Sequence, residues 1–158
     1  MSPADNLVVF ALDSQPYALA LSTVERAVRI VEITPLPQAP EIVFGVINLE
    51  GRIIPVMNIR RRFRLPERRP GLSDQLLIAR TARRTVALVV DEVRGVLECP
   101  AHAEIDPAAI VPGLEYVTGV IKLSDSLLLI HDLDEFLSLE EEEVLAAAIN
   151  GEDNNVKS

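Results

Sequence analysis

Two stretches of this chain are near copies of each other. Val43-Phe44-Gly45-Val46-Ile47-Asn48-Leu49 recurs as Val117-Thr118-Gly119-Val120-Ile121-Lys122-Leu123, 74 positions later, with five of seven residues identical. The match continues as a pattern: Ile53, Ile54, Val56 and Ile59 face Leu127, Leu128, Ile130 and Leu133 at the same offset. Asn58 faces Asp132, and Phe63 faces Leu137. A second correspondence, at an offset of 69, pairs residues 18–24 with residues 87–93. An internal repeat of this kind constrains the fold before any other feature does, because both halves must adopt the same local structure. The halves span about 7–63 and 75–137. Each is too small to bury an adequate core alone, so they are expected to share one within a single domain covering 1–158.

The repeated unit is built from strands. Apolar runs at 7–12, 17–21, 28–33, 43–49, 52–59, 75–80, 85–90, 95–99, 118–123 and 127–130 alternate with turn signals such as Asp13-Ser14 and Glu50-Gly51. Short, evenly spaced strands of this kind predict small barrels rather than βαβ units. Aromatic residues are only 4% of the chain and Trp is absent, so Val, Ile and Leu build the core. Two helices are expected. Ser22 and Glu25 have capping-box spacing and predict a short helix over 22–27. Ser138 and Glu141 repeat that spacing before a helix over 139–150, with Gly151 as its stop and 152–158 as a disordered tail. Pro55, inside a strand-like run, is expected at a sheet edge or a bulge.

Charge is unevenly spread. The net charge is −9; residues 132–158 hold nine acids and one Lys, which is −8, so the rest carries −1. Residues 60–94 go the other way, with ten Arg against four acids. Such a run reads as a solvated linker between the halves. The alternatives are an acidic protein partner and a basic loop that contacts nucleic-acid phosphates on a small barrel, although Phe63 is the lone aromatic beside Arg60–Arg62 and a stacking platform is missing.

Chemistry is sparse. The single Cys99 supports neither a disulfide nor a Cys-based metal site, and His102 and His131 lack local co-ligands. No nucleophile elbow, phosphate-binding loop or dinucleotide fingerprint occurs. No catalytic residue, metal or cofactor is assigned. No apolar run reaches the length of a membrane span and the N-terminus carries no secretory signal, so a cytoplasmic protein without direct membrane insertion is expected. What remains is the profile of a binding module.

Residues 46–56, Val46-Ile47-Asn48-Leu49-Glu50-Gly51-Arg52-Ile53-Ile54-Pro55-Val56, followed by Asn58-Ile59-Arg60, resemble the signature of the CheW family of chemotaxis coupling proteins. Val89-Val90-Asp91-Glu92-Val93 and Leu129-Ile130-His131-Asp132-Leu133 match further family segments, in the family's order, over about residues 6–145. The resemblance implies an all-β fold of two intertwined five-stranded SH3-like barrels. It also implies a non-catalytic adaptor between the cytoplasmic tip of methyl-accepting chemoreceptors and the regulatory domain of a CheA-type histidine kinase, working at membrane-associated receptor arrays. By position, Glu50, Val93 and Val96 are receptor-contact candidates. Val24, Arg26 and Ala27 are kinase-contact candidates. Gly45, Asn48, Leu49, Gly51, Pro55, Asp91 and Gly119 fall on the structural motif. Two residues depart from the family pattern: Glu50 stands where it has Arg, and Arg26 where well-known members are acidic.

Overall fold

A computed structural model describes residues 6–98, 104–105, 117–122, 127–135 and 138–157. The strands of the first half are β1 (Asn6–Leu12), β2 (Gln15–Ala20), β3 (Val24–Arg29), β4 (Val43–Leu49) and β5 (Arg52–Met57). Those of the second are β6 (Gln75–Arg80), β7 (Thr85–Val90), β8 (Glu92–Glu98), the two-residue β9 (Glu104–Ile105), β10 (Val117–Lys122) and β11 (Leu127–His131). Among the described residues there are two α-helices, α1 (Ile59–Arg62) and α2 (Leu139–Lys157).

The strands form two sheets, the first ordered β3-β6-β7-β5-β4 and the second β8-β1-β2-β11-β10-β9. Each sheet combines the first hairpin of one half with the later strands of the other. Replacing every strand by its repeat counterpart turns one order into the other, apart from β9. The register keeps the symmetry residue by residue. The parallel pairs Val56↔Ala87 and Ile130↔Ala18 are exchanged by the offsets of 74 and 69. So are the bulges: the β4–β5 register shifts between Val43 and Gly45, and the β10–β11 register between Val117 and Gly119. The expected all-β, intertwined architecture is therefore present, with β9 as an added strand.

Both sheets close in the same way. Thr34 and Val46 exchange two backbone hydrogen bonds of 2.8 Å, which joins the chain after β3 to β4. In the other sheet β9 joins β10 through Val120↔Ile105, at the position equivalent to Val46. Gly45 permits the first closure. A Cβ there would lie far inside van der Waals distance of the Thr34 carbonyl.

Continuous apolar runs are explained by strands buried on both faces. Side chains alternate along β1, so Val8, Phe10 and Leu12 enter one core while Leu7 enters another. In β6, Leu77 and Ala79 enter the first of these cores, while Leu76 and Ile78 enter a third. The first core takes residues from both sheets, as expected for halves that cannot fold alone. The other two lie within the individual sheets. The shared core is capped by an aromatic stack: Phe10 on Tyr17 (5.9 Å between centroids), Tyr17 on Phe63 (4.8 Å) and Phe63 on His131 (4.3 Å).

Four expectations need correction. The helix over 22–27 does not form; a 3-10 turn at Leu21–Thr23 leads directly into β3. Its capping groups are used elsewhere, because Thr23 Oγ1 donates to the Ala20 carbonyl (2.7 Å) and Glu25 pairs with Arg52. Val24 and Val28 favour extended backbone over so short a span. The run at 52–59 ends at Met57, and Ile59–Arg62 is a helical turn. The C-terminal helix does not stop at Gly151 but continues to Lys157, so residues 152–157 are helical rather than a loose tail. Pro55 lies in an inner strand by sheet order. Its missing N–H is tolerated because Val46, its β4 partner, spends both backbone groups on Thr34, and the pairing of β5 with β7 begins only at Val56. The bulge at Phe44 is one position away. Cys99 and His102 fall outside the described residues.

Candidate partner-binding surfaces

The rim of the first sheet gathers charges of both signs. Glu50 and Gly51 form the two-residue connection between β4 and β5, with φ of 53° and 86°, the left-handed pair a type I′ hairpin requires. Asn48 holds this turn by accepting the Gly51 N–H (2.9 Å). Leu49 is half-buried against the first sheet's own core. The turn projects Glu50 towards β3, where Arg26 meets it at 3.1 Å. Beside this pair Arg52 makes a two-pronged contact with Glu25, at 2.8 and 3.2 Å. That contact lowers the Glu25 pKa. Arg26 and Glu50 thus face each other with opposite charges.

The remaining candidates fall into two groups. Val24 is half-buried against the shared core, and Ala27 is exposed on the same strand. Val93 and Val96 lie on β8, the terminal strand of the other sheet; Val93 packs on the shared core and Val96 is 60% exposed. The receptor-contact candidates are therefore divided, since Glu50 sits with the kinase-contact group on the first sheet's rim. The repeat explains the resemblance between the groups. Val24 and Ala27 map onto Val93 and Val96 at the offset of 69. Gly119 sits at the β10–β11 bulge, opposite Ile130.

Asp91 is the centre of a polar network that the sequence reading placed only as a motif residue. Its carboxylate accepts the Asp13 N–H (2.8 Å), Arg60 (2.8 and 3.0 Å) and Arg68 (2.6 Å). Arg60, only 7% exposed, also bonds Asp13 (2.8 Å) and the Pro66 carbonyl (3.0 Å). Arg68 grips the buried Asp74 with both guanidinium nitrogens (2.7 and 2.8 Å). Burial raises the Asp91 pKa, but Arg60, the Asp13 amide and Arg68 more than offset this and leave it below the usual carboxylate value. Asp74 is lowered chiefly by Arg68, against its own burial. The network ties the β1–β2 turn, α1, the inter-half segment and the β7–β8 junction together.

The basic stretch over residues 60–94 is therefore solvated only in part, since several of its arginines are tied to acids. Arg61 pairs with Glu41 and Glu67, Arg62 with Glu141, Arg84 with Glu142 and Arg94 with Glu92. Six of the ten arginines, Arg60, Arg61, Arg62, Arg68, Arg84 and Arg94, are thus engaged by this chain's own acids, which lowers the positive charge left for phosphates. Linear spacing does not mark the long-range pairs, which join positions 58 and 79 residues apart. Among the described residues no cluster of His, Cys, Asp and Glu is arranged to hold a metal. No described helix is long and apolar enough to cross a membrane.

The CheW-like domain family model matches residues 6–141. The chain is 28% identical to the chemotaxis protein CheW of Treponema pallidum over 146 residues, spanning 89% of this chain and 86% of that protein. It is 30% identical to the chemotaxis protein CheW of Thermotoga maritima over 129 residues, spanning 81% and 84%. Among solved structures, the crystal structure of the scaffolding protein TtCheW from Thermoanaerobacter tengcongensis superposes with a TM-score of 0.78 at 28% identity, covering 87% of this chain and 95% of that one.

Proposed function

Since the chain belongs to the CheW-like family, we propose that it is a non-catalytic adaptor that couples chemoreceptors to a CheA-type histidine kinase in a chemosensory pathway. The observation that carries this reading is the extent of the likeness, which spans both halves of the repeat rather than one barrel. The mechanism is simultaneous binding. One surface takes the helical tip of a methyl-accepting receptor, another takes the regulatory domain of the kinase, and signalling follows from the geometry of the assembly. Val24, Arg26 and Ala27 on β3 and Val93 and Val96 on β8, strands at the ends of different sheets, support a molecule with two faces. We assign kinase contact to Val24, Arg26 and Ala27, and receptor contact to Glu50, Val93 and Val96. The Arg26–Glu50 pair places one member of each group in direct contact, so the two surfaces adjoin at the rim. The protein works in the cytoplasm, recruited to receptor arrays by these contacts.

Titration of the purified chain against the regulatory domain of the CheA-type kinase from the same genome tests the reading. Saturable one-to-one binding is expected. Absence of binding at high protein concentration contradicts the adaptor role.

A further inference from the structure

The C-terminal helix holds to the double barrel in an unusual way. Among its described side chains the buried face is narrow: Glu142, Leu145 and Ala148 are buried and Ile149 is partly so, while Val144, at the margin of that face, is 46% exposed. Leu145 and Ala148 enter the shared core that also contains Phe10, Leu12, Leu19 and Leu88. Charge does the rest. Glu141 meets Arg62 at 2.5 Å, and Glu142 meets Arg84 at 2.5 Å. The two arginines come from α1 and the β6–β7 turn, one from each half of the repeat. The helix start is held by its own capping box: Ser138 Oγ accepts the Glu141 N–H (3.1 Å), and Glu141 accepts the Ser138 N–H (2.8 Å). This helix is therefore self-capped, buried among its described side chains at Glu142, Leu145 and Ala148, and fastened to cations supplied by both halves.

We propose that α2 is a releasable strap over the shared core, and that the slot beneath it receives an amphipathic helix bearing the pattern Glu-Glu-x-x-Leu-x-x-Ala. The strap's own residues Glu141, Glu142, Leu145 and Ala148 define what fits. Two acids meet Arg62 and Arg84, and two small or aliphatic side chains one turn apart fill the apolar floor. In the closed state α2 occupies the slot in cis. In the open state the floor and the two arginines face solvent, and a second helix of the same chemistry takes its place. This goes beyond the adaptor reading and does not depend on it. The fastening is electrostatic, so it weakens as salt screens the partly exposed pairs. An element with little buried apolar surface opens at lower free energy than the strands around it.

Hydrogen exchange on the full chain, followed by mass spectrometry, tests the strap. In the wild type, amides of α2 beyond its first turn are expected to exchange about tenfold faster than those of β1, β6 and β7, and to accelerate further with added salt. In the double variant Glu141→Gln/Glu142→Gln, α2 exchange is expected to rise by about another tenfold while the strand amides keep their rates. Exchange of α2 in step with the strands, in both proteins and at every salt concentration, overturns the strap. A labelled peptide of residues 138–157 tests the slot. It is expected to bind the double variant more tightly than the wild type, because the variant's own helix competes less. No binding to the variant, or equal binding to both, overturns the slot.

Discussion

Replacing Arg60 by Met removes the one cation that touches the β1–β2 turn, the inter-half segment and Asp91 at once. The substitution keeps the apolar stem and deletes contacts to Asp13, Asp91 and the Pro66 carbonyl. Breaking a buried ion pair from one side costs about 3–5 kcal/mol when the remaining charge is stranded. Asp91 is not fully stranded, since it is 27% exposed and keeps Arg68 at 2.6 Å. The cost is therefore discounted to about 2 kcal/mol. In a domain of this size about 1 kcal/mol moves the melting temperature by roughly 2–4 °C, so a fall of about 4–8 °C is expected. Arg61 is the control. Its partners Glu41 and Glu67 are exposed, and such pairs contribute about 0–1 kcal/mol. Arg61→Met should lower the melting temperature by no more than about 4 °C. Urea and thermal unfolding of the two variants side by side is the assay. Equal effects, or a loss below about 1 kcal/mol for Arg60→Met, refute the view that this network fastens the halves together.

Gly45→Ala should cost about 3 kcal/mol in urea unfolding, because its Cβ collides with the Thr34 backbone and opens the barrel closure, whereas Gly51→Ala, which meets open space, should cost only the roughly 1 kcal/mol of its left-handed φ. Asp74 and Asp91 have pKa values below the ordinary 3.8, so their stabilisation is complete above that value and is lost as the pH falls through the lower native values; stability measured from pH 5 downward should fall, and fall less steeply in Arg60→Met. Arg26→Glu places a third acid beside Glu25 and Glu50, and should weaken kinase-domain binding about tenfold while changing stability by less than about 1 kcal/mol; adding Glu50→Arg should restore the rim pair and recover part of the binding.

Much of the fold was legible because the repeat fixes register. Val43 and Val117, or Val56 and Ile130, could be aligned from sequence, and they occupy equivalent places at equivalent bulges. The exchange of hairpins between halves was not legible from the residues alone. A linear repeat says which strands are alike, not which of them pair. The same local motif also gave two outcomes. Ser138 heads a run rich in Glu, Leu and Ala and starts a helix. Ser22 is followed within six residues by two valines, and Glu25 is drawn away to Arg52. Tertiary pairing overrode propensity there.

The site was legible in part. Glu50 and Arg26 stood out singly, and only folding brings them within 3.1 Å. Some arginines of residues 60–94 looked solvated because their acids lie far away in sequence. Arg60 meets Asp13, 47 positions earlier, and Arg62 meets Glu141, 79 positions later. A charge run carries no record of such partners.

The adaptor account stands or falls on bridging. Sedimentation velocity of the chain mixed with the kinase regulatory domain and a soluble receptor-tip fragment measures this directly. The account predicts a ternary species larger than either binary complex, in which the receptor fragment and the kinase domain co-sediment only when this chain is present. Binding of one partner that excludes the other, or co-sedimentation that is indifferent to this chain, contradicts it.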